Sequence, residues 1–224
     1  VRRCLRTLMT VQSAILKLLQ RIDPRLSDGT EITASNISTW ASDGATFTAQ
    51  RIMDIYNEAR FVLANTISRT YPERQVSEEL AGLIKKKTDF QFSSGSADKT
   101  TLTGFVRIER LYTSGGTQIT VLPVEAMQRT EDLNTSSNPV VYDYGTVFAQ
   151  KSADTSIIPD ASTYVIWYHG VTTFTTTDVT GGSTKEEFRD DWIPALIQLS
   201  QAIALEQGRK AVNALAEQLV AEGR

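Results

Sequence analysis

The chain has 224 residues, 41% of them hydrophobic, and its 23 lysines and arginines against 26 aspartates and glutamates give a formal net charge of −3. This composition is sufficient for a packed core, which excludes a fully disordered chain, and the charge excludes bulk attraction to nucleic acid. The single cysteine and single histidine exclude an internal disulfide and a zinc site built from these two residue types, and no apolar run is long enough to predict a membrane span.

Residues 1–87 are predicted to contribute the N-terminal helices of a bundle. Apolar residues recur at spacings of three and four within 11–22 and again within 52–67, which predicts two amphipathic helices. The polar stretch 26–46 between them is predicted to be a long loop that wraps a surface. A shorter helix is predicted over 76–87.

Residues 88–182 are predicted to form a β-rich insert, because the apolar period changes there from helical to two. Residues 105–121 read as a hairpin with its turn at Ser114-Gly115-Gly116. Residues 140–150 and 162–171 read as two more strands. These segments predict a small antiparallel sheet or sandwich.

Residues 183–224 are predicted to complete the bundle with C-terminal helices. Ser183 and Glu186 have the spacing of a capping box, and Pro194 suits the first turn of a long alanine-rich helix. This helix carries apolar residues on more than one face, so we expect its C-terminal part to bind another chain. The predicted interface residues in it are Arg209, Val212, Leu215, Leu219 and Val220. The predicted fold class is therefore α+β, an α-helical bundle with an inserted small antiparallel β-sheet or sandwich.

Four carboxylates form the densest acidic cluster of the sequence, namely Glu186, Glu187, Asp190 and Asp191. Such a cluster could hold a metal or act as acid and base in glycoside hydrolysis, but acids at a helix N-terminus are also stabilised by the helix dipole. We assign them to helix capping. His169 lies in an alternating strand with no serine or second histidine nearby, which indicates a packed histidine. No catalytic, metal or cofactor site is predicted.

Two further segments have a structural and a functional interpretation. Lys85-Lys86-Lys87 follows a predicted helix, where cations complement the helix dipole, although a local basic cluster could also contact phosphate. Residues 172–177 are threonines interrupted only by Phe174, which predicts a solvated edge or loop. Such an edge could pair with a neighbouring chain, so Phe174 is the sixth predicted interface residue.

Four places in the chain resemble the head-to-tail adaptor proteins of tailed bacteriophages, also called connector or head-completion proteins. They are Tyr56-Asn57-Glu58-Ala59 in the second long helix, the 105–121 hairpin followed at once by Leu122-Pro123, the paired strands that contain Pro139-Val140-Val141-Tyr142 and 164–168, and Trp192-Ile193-Pro194 before the final helix. The resemblance runs from about Val11 to the C-terminal end of the sequence.

The resemblance implies a structural virion protein of the neck, made in the cytoplasm of a bacterial host. Such proteins form a ring, commonly of twelve copies, that joins the portal protein to the tail or to a tail-completion protein. DNA passes through the lumen of the ring without sequence-specific binding, and the acidic balance of this chain suits that passage.

Three alternatives stay open on the sequence. The first is a tail-completion or neck protein of the same particle. The second is a carbohydrate-binding β module on a helical scaffold, which should expose Tyr142, Tyr144 and Trp167 on one concave face. The third is an enzyme of another type, which should show a deep pocket with a perturbed acid or base.

Overall fold

The computed structural model describes residues 9–42, 48–128, 135–150, 157–160 and 162–221, and it leaves undescribed the side chains of 128, 209 and 211–221. The chain forms two compact units. One, the helical unit, consists of Val1–Thr70 and Thr173–Arg224, and the other, the β unit, consists of Tyr71–Thr172. The β unit is thus inserted in sequence between the two parts of the helical unit.

Six α-helices lie in the described residues: α1 Val11–Ile22, α2 Ile37–Ser42, α3 Ala49–Thr70, α4 Glu73–Glu79, α5 Thr176–Thr180 and α6 Ile193–Ala221. All but α4 belong to the helical unit. Thr10 caps α1, because its side-chain oxygen accepts a hydrogen bond from the Ser13 backbone N–H. The apolar faces of α1 and α3 pack against α6, whose buried residues are Ile193, Leu196, Ile197, Ser200 and Ala204.

The predicted loop over 26–46 is irregular over 26–36, whereas 37–42 form the helix α2, which was not predicted from the sequence. Its isolated apolar side chains, Leu26, Ile32, Ile37 and Trp40, are all buried, and the last two lie on α2. These four residues anchor the described part of the stretch, because each removes apolar surface from water.

Seven strands form the sheet of the β unit: β1 Ile84–Gln91, β2 Ser96–Asp98, β3 Phe105–Thr113, β4 Gln118–Pro123, β5 Val140–Asp143, β6 Val147–Ala149 and β7 Thr163–Gly170. Their order in the sheet is β1-β7-β3-β4-β5-β6-β2. The β4–β5 pair is parallel and the other pairs are antiparallel, so the sheet is mixed.

This sheet corrects the predicted fold class. The protein is α+β, but its sheet is a seven-stranded, nearly closed, barrel-like structure rather than a small antiparallel insert in a helical bundle. The interior of the β unit is a cluster of its own, in which aromatic rings meet edge to face. Phe92 and Tyr164 have ring centroids 5.1 Å apart, and Phe90 and Phe148 have centroids 6.2 Å apart.

Two local predictions were also wrong. Residues 84–87 belong to β1 rather than to a helix, since all four pair with β7 and this pairing overrides local helix propensity. Residues 140–150 form two strands, β5 and β6, separated by a turn at Gly145, whose φ is 80°. The threonine-rich segment 172–177 is irregular up to Thr175 and then enters α5, which begins with a capping box between Thr175 and Asp178.

Candidate functional site

The predicted acidic cluster does not act as one helix cap. Glu186 is fully buried, and it lies in an irregular segment before the short 3-10 turn Asp190–Trp192. Asp190 accepts a hydrogen bond from the Met9 backbone N–H, and Asp191 pairs with Arg189. Glu186 and Glu187 instead share Arg60, so the four carboxylates do not have one common partner. The predicted Ser183–Glu186 capping box was wrong.

Glu186 belongs to a buried cluster around Arg60 of α3, which we call the Arg60 cluster and which comprises Tyr56, Arg60, Phe174, Glu186 and Glu187. Arg60 Nε lies 3.0 Å from Glu186 Oε1, and Arg60 Nη2 lies 2.8 Å from Glu187 Oε2. The Arg60 guanidinium carbon is 4.0 Å from the centroid of the Phe174 ring, which is a cation–π distance. The charge of Arg60 is thus balanced inside the helical unit.

Tyr56 completes this cluster from one turn earlier on α3. Its hydroxyl donates a hydrogen bond to Glu186 Oε2 over 2.7 Å. Burial raises the pKa of the Tyr56 hydroxyl well above its usual value, and the neighbouring Glu186 carboxylate raises it further. Tyr56 is therefore held as a neutral donor.

The next residue on α3, Asn57, forms two side-chain hydrogen bonds with the backbone of Phe174. Its side chain donates to the Phe174 carbonyl over 2.8 Å and accepts from the Phe174 N–H over 2.9 Å. Phe174 is only 5% exposed, so the structure places this predicted interface residue inside the helical unit. The buried charges of Arg60 and Glu186 are paired, and the backbone N–H and carbonyl of Phe174 are both hydrogen-bonded. The Arg60 cluster is therefore a structural feature of the helical unit rather than an open binding site.

A second buried polar group lies in the β unit around His169. Its Nε2 is 3.0 Å from Glu109 Oε2, and the Ser77 hydroxyl lies 2.9 Å from both carboxylate oxygens of Glu109. The His169 side chain is fully buried, and its Nδ1 has no hydrogen-bond partner among the described residues. The carboxylate stands between the serine and the histidine, so this group lacks the serine–histidine contact that activates a nucleophile.

The three consecutive lysines contact different neighbours, because successive side chains of β1 point to opposite faces of the sheet. Lys85 Nζ contacts the Thr172 hydroxyl, and Lys87 Nζ lies 3.4 Å from the Thr101 carbonyl. Lys86 instead lies over the ring of Trp167, with its Nζ 5.2 Å from the ring centroid. The three cations therefore do not form one patch, and the interpretation that they complement a helix dipole was wrong.

Two cavities open near these residues in the β unit. A polar one of about 430 Å³ is lined by Glu73, Arg74, Ser77, Glu78, Arg107, Ile108, Glu109 and Arg110. An ion pair crosses it, since Arg107 Nη2 is 2.6 Å from Glu73 Oε1. A more apolar one of about 280 Å³, which we call the Trp167 groove, is lined by Ile84, Glu109, Arg110, Tyr112 and Trp167. Glu109 and Arg110 line both cavities.

The aromatic residues expected of a carbohydrate-binding module are not all at the surface. Tyr142 is 1% exposed, whereas Tyr144 and Trp167 are 39% and 36% exposed. Tyr142 is fixed inside because β5 lies between β4 and β6. An array of the three rings on one concave face is therefore not formed.

The predicted interface residues of the final helix lie outside the described side chains. These are Arg209, Val212, Leu215, Leu219 and Val220. Their backbone continues as α6 to Ala221. The buried side chains of α6 that the structure describes precede Gly208.

No group of three or more histidine, cysteine, aspartate or glutamate side chains is placed to hold a metal ion within the described part of the chain. Among the described helices, none combines the length and the hydropathy needed to cross a membrane. Neither a protein-family model nor a curated protein sequence is significantly similar to this chain.

Proposed function

We propose that this chain is a structural assembly protein that forms a ring with copies of itself and acts as a head-to-tail adaptor between a phage portal and tail. The observation that carries the proposal is the exposed apolar surface of the two longest helices. Phe61 on α3 is 44% exposed and Leu205 on α6 is 63% exposed, and Val62 beside Phe61 is exposed as well. Aromatic and aliphatic side chains of this size are typical of interface cores.

A ring needs two different complementary patches on every copy, because its interfaces are heterologous. Helices α3 and α6 pack against each other, so Phe61 and Leu205 belong to one helical layer of the unit. The backbone of α6 continues beyond Gly208 through the positions of the predicted interface residues. These features supply apolar surface for contacts with neighbouring copies.

Two of the four motifs that resemble the adaptor family, Tyr56-Asn57-Glu58-Ala59 and Trp192-Ile193-Pro194, lie in the helical unit. Tyr56 and Asn57 make the hydrogen bonds that hold Glu186 and Phe174, and Trp192-Ile193-Pro194 leads into α6. These residues would therefore position the helices that carry the exposed apolar side chains. This supports a role for the motifs in shaping the subunit rather than in chemistry.

The alternatives receive less support from the described residues. A carbohydrate-binding module is disfavoured because Tyr142 is buried. An enzyme that uses Ser77 as its nucleophile is disfavoured because Glu109 rather than His169 bonds to Ser77. A tail-completion or neck protein of the same particle would use the same surfaces, and only the partner distinguishes it from an adaptor.

The mass of the protein in solution tests the proposal. We would measure it by light scattering and native mass spectrometry over a range of concentrations, alone and mixed with the portal protein of the same particle. The expected result is a closed oligomer, either free or on the portal. A compact monomer under all these conditions would contradict ring assembly, and a ring that binds tail components but not the portal would indicate the tail-completion alternative.

Two variants test whether the exposed apolar side chains of α3 and α6 are needed for assembly. Phe61→Gln and Leu205→Gln should weaken assembly while leaving the fold intact, because both side chains are largely exposed in the single chain. Lys17→Gln, at an exposed position on α1, is the control and should assemble normally.

A further inference from the structure

Three side chains lie in a row across the outer face of the β unit. In the register of the sheet, Trp167 on β7 pairs with Lys86 on β1 and with Arg110 on β3. All three are exposed. Side chains of directly paired residues lie on the same face of a sheet, so a cationic residue flanks Trp167 on each neighbouring strand.

The cations in this row are available to a ligand. Lys86 contacts the Trp167 ring, and Arg110 is exposed and makes no hydrogen bond or ion pair with another described residue. The nearest acidic neighbour in the groove, Glu109, already accepts hydrogen bonds from Ser77 and His169. The formal charge of −3 for the whole chain does not govern this face, because charges beyond about 8 Å are largely screened at physiological salt.

The Trp167 groove runs from this row to Glu109. Its volume of about 280 Å³ is close to the ~300 Å³ at which small-ligand sites begin, so it accommodates one planar group. Tyr112 and Ile84 supply further apolar wall. A carboxylate has about four lone-pair positions, so Glu109 keeps acceptor capacity beside its bonds to Ser77 and His169.

We propose that the Trp167 groove binds single-stranded nucleic acid, with one base stacked on Trp167 and its flanking phosphates neutralised by Lys86 and Arg110. Glu109 accepts a hydrogen bond from an amino group on the base edge, as carboxylates do from the N4 amino group of cytosine. A nucleotide combines a flat apolar face with an anionic backbone, and the row of cation, indole and cation matches both. This inference does not depend on ring assembly or on a phage partner.

Oligonucleotide binding tests the proposal directly. The probes are fluorescein-labelled ten-nucleotide strands of deoxycytidine and of thymidine, followed by fluorescence anisotropy and by quenching of tryptophan emission. We expect the cytidine strand to bind more tightly, because thymine has no exocyclic amine to donate to Glu109. With two phosphates neutralised, log Kd should rise with log salt concentration with a slope of about 1.4.

Substitutions in the row separate stacking from charge. Trp167→Ala should weaken binding about tenfold or more, and Trp167→Phe should retain most of it. Lys86→Gln and Arg110→Gln should each lower the salt slope by about 0.7. Glu109→Leu should remove the preference for cytidine, because leucine has no oxygen to accept from the amino group. Controls are Tyr144→Ala, an exposed aromatic residue after β5, and Lys210→Gln, which removes one positive charge from α6; both should bind normally.

Circular dichroism and thermal unfolding of every variant establish that the β unit is folded. The proposal is overturned if neither strand binds at 50 mM salt. It is also overturned if binding persists unchanged in the Trp167→Ala and Arg110→Gln proteins, since the site would then lie elsewhere. If a peptide of alternating glutamate and leucine binds in a Trp167-dependent way and the oligonucleotides do not, the groove is a protein-docking site and the proposal fails.

Discussion

Arg60 and Glu186 form an ion pair in which both side chains are fully buried, although 126 positions separate them in the sequence. Arg60 lies on α3, before the β unit in the chain, and Glu186 follows the β unit. The pair therefore joins the two halves of the helical unit through a contact that excludes water.

Removing Arg60 should destabilise the helical unit strongly. Arg60→Met leaves the Glu186 carboxylate buried without its cation, which typically costs about 3–5 kcal/mol. Urea unfolding measures the free energy of unfolding of each variant. The double variant Arg60→Met with Glu186→Gln should recover part of the loss, because the remaining amide is neutral and still accepts from Tyr56. A loss below 1 kcal/mol in the single variant would show that the pair is not desolvated.

Two acids of the predicted cluster should respond very differently to neutralisation. Glu186→Gln removes a buried charge that four hydrogen-bond donors contact, and it should cost several kcal/mol. Asp191→Asn removes an exposed ion pair with Arg189 and should cost less than about 1 kcal/mol. Thermal unfolding of the two variants provides the comparison. Equal losses of stability in the two variants would support the interpretation that the four acids cap one helix.

The hydroxyl of Tyr56 should make stability fall at alkaline pH. Its pKa in the folded protein is raised above the unfolded value near 10, so its contribution is complete below pH 10 and is lost as pH rises above it. The free energy of unfolding then falls by up to about 1.4 kcal/mol per pH unit. Unfolding measured between pH 9 and 11 should show a shallower decline for Tyr56→Phe. Tyr164 and Tyr168, whose pKa values are also raised, remain in both proteins and account for the residual slope.

Gly104 should not tolerate a side chain. Its φ is +58°, and an added Cβ would collide with the carbonyl oxygen of Val171. Gly116 also has a positive φ, of +87°, but nothing lies within 4 Å of its added Cβ. Gly116→Ala should therefore cost only the backbone strain of about 1–2 kcal/mol, and Gly104→Ala should cost several kcal/mol more. Similar losses for the two variants would mean that the backbone at Gly104 moves aside.

A truncation after Gln207 tests whether residues 208–224 serve assembly. The described buried side chains of α6 lie between Ile193 and Ala204, so the shortened protein should keep its thermal stability. It should fail to form rings or to bind the portal if residues 209–220 are the docking element. Gly208→Ala is the control, and it should stabilise α6 by up to about 1 kcal/mol without affecting assembly. Unfolding of the shortened protein would instead assign this segment to the core of the subunit.

Local patterns in the sequence predicted the amphipathic helices but not their polar contacts. The apolar spacing identified α1, α3 and α6 because helical periodicity depends only on near neighbours. The Arg60 cluster was missed because its partners come from distant parts of the chain. A signal was present: Arg60 stands among Tyr56, Ala59 and Leu63 on the apolar stripe of α3, and a charged residue in such a stripe indicates a buried partner.

Two segments of the sequence have the spacing of a capping box but form different structures. Ser183–Glu186 and Thr175–Asp178 have the same spacing, yet only the second forms a cap. Glu186 is held instead by Arg60, a contact that the local spacing cannot reveal. The sheet was underestimated for a related reason, since the parallel pairing of β4 with β5 joins segments whose own sequences carry only short apolar runs.

The insertion of the β unit also sets an order of events during synthesis on the ribosome. All contacts within residues 71–172 can form once that segment has emerged. Helices α1 and α3 emerge earlier, but the surface that buries them, from Phe174 to Ala204, is made afterwards. The apolar faces of these two helices therefore stay uncovered while about a hundred residues are added. Such long sequence separations slow folding, so the nascent helical unit is a natural client for chaperones.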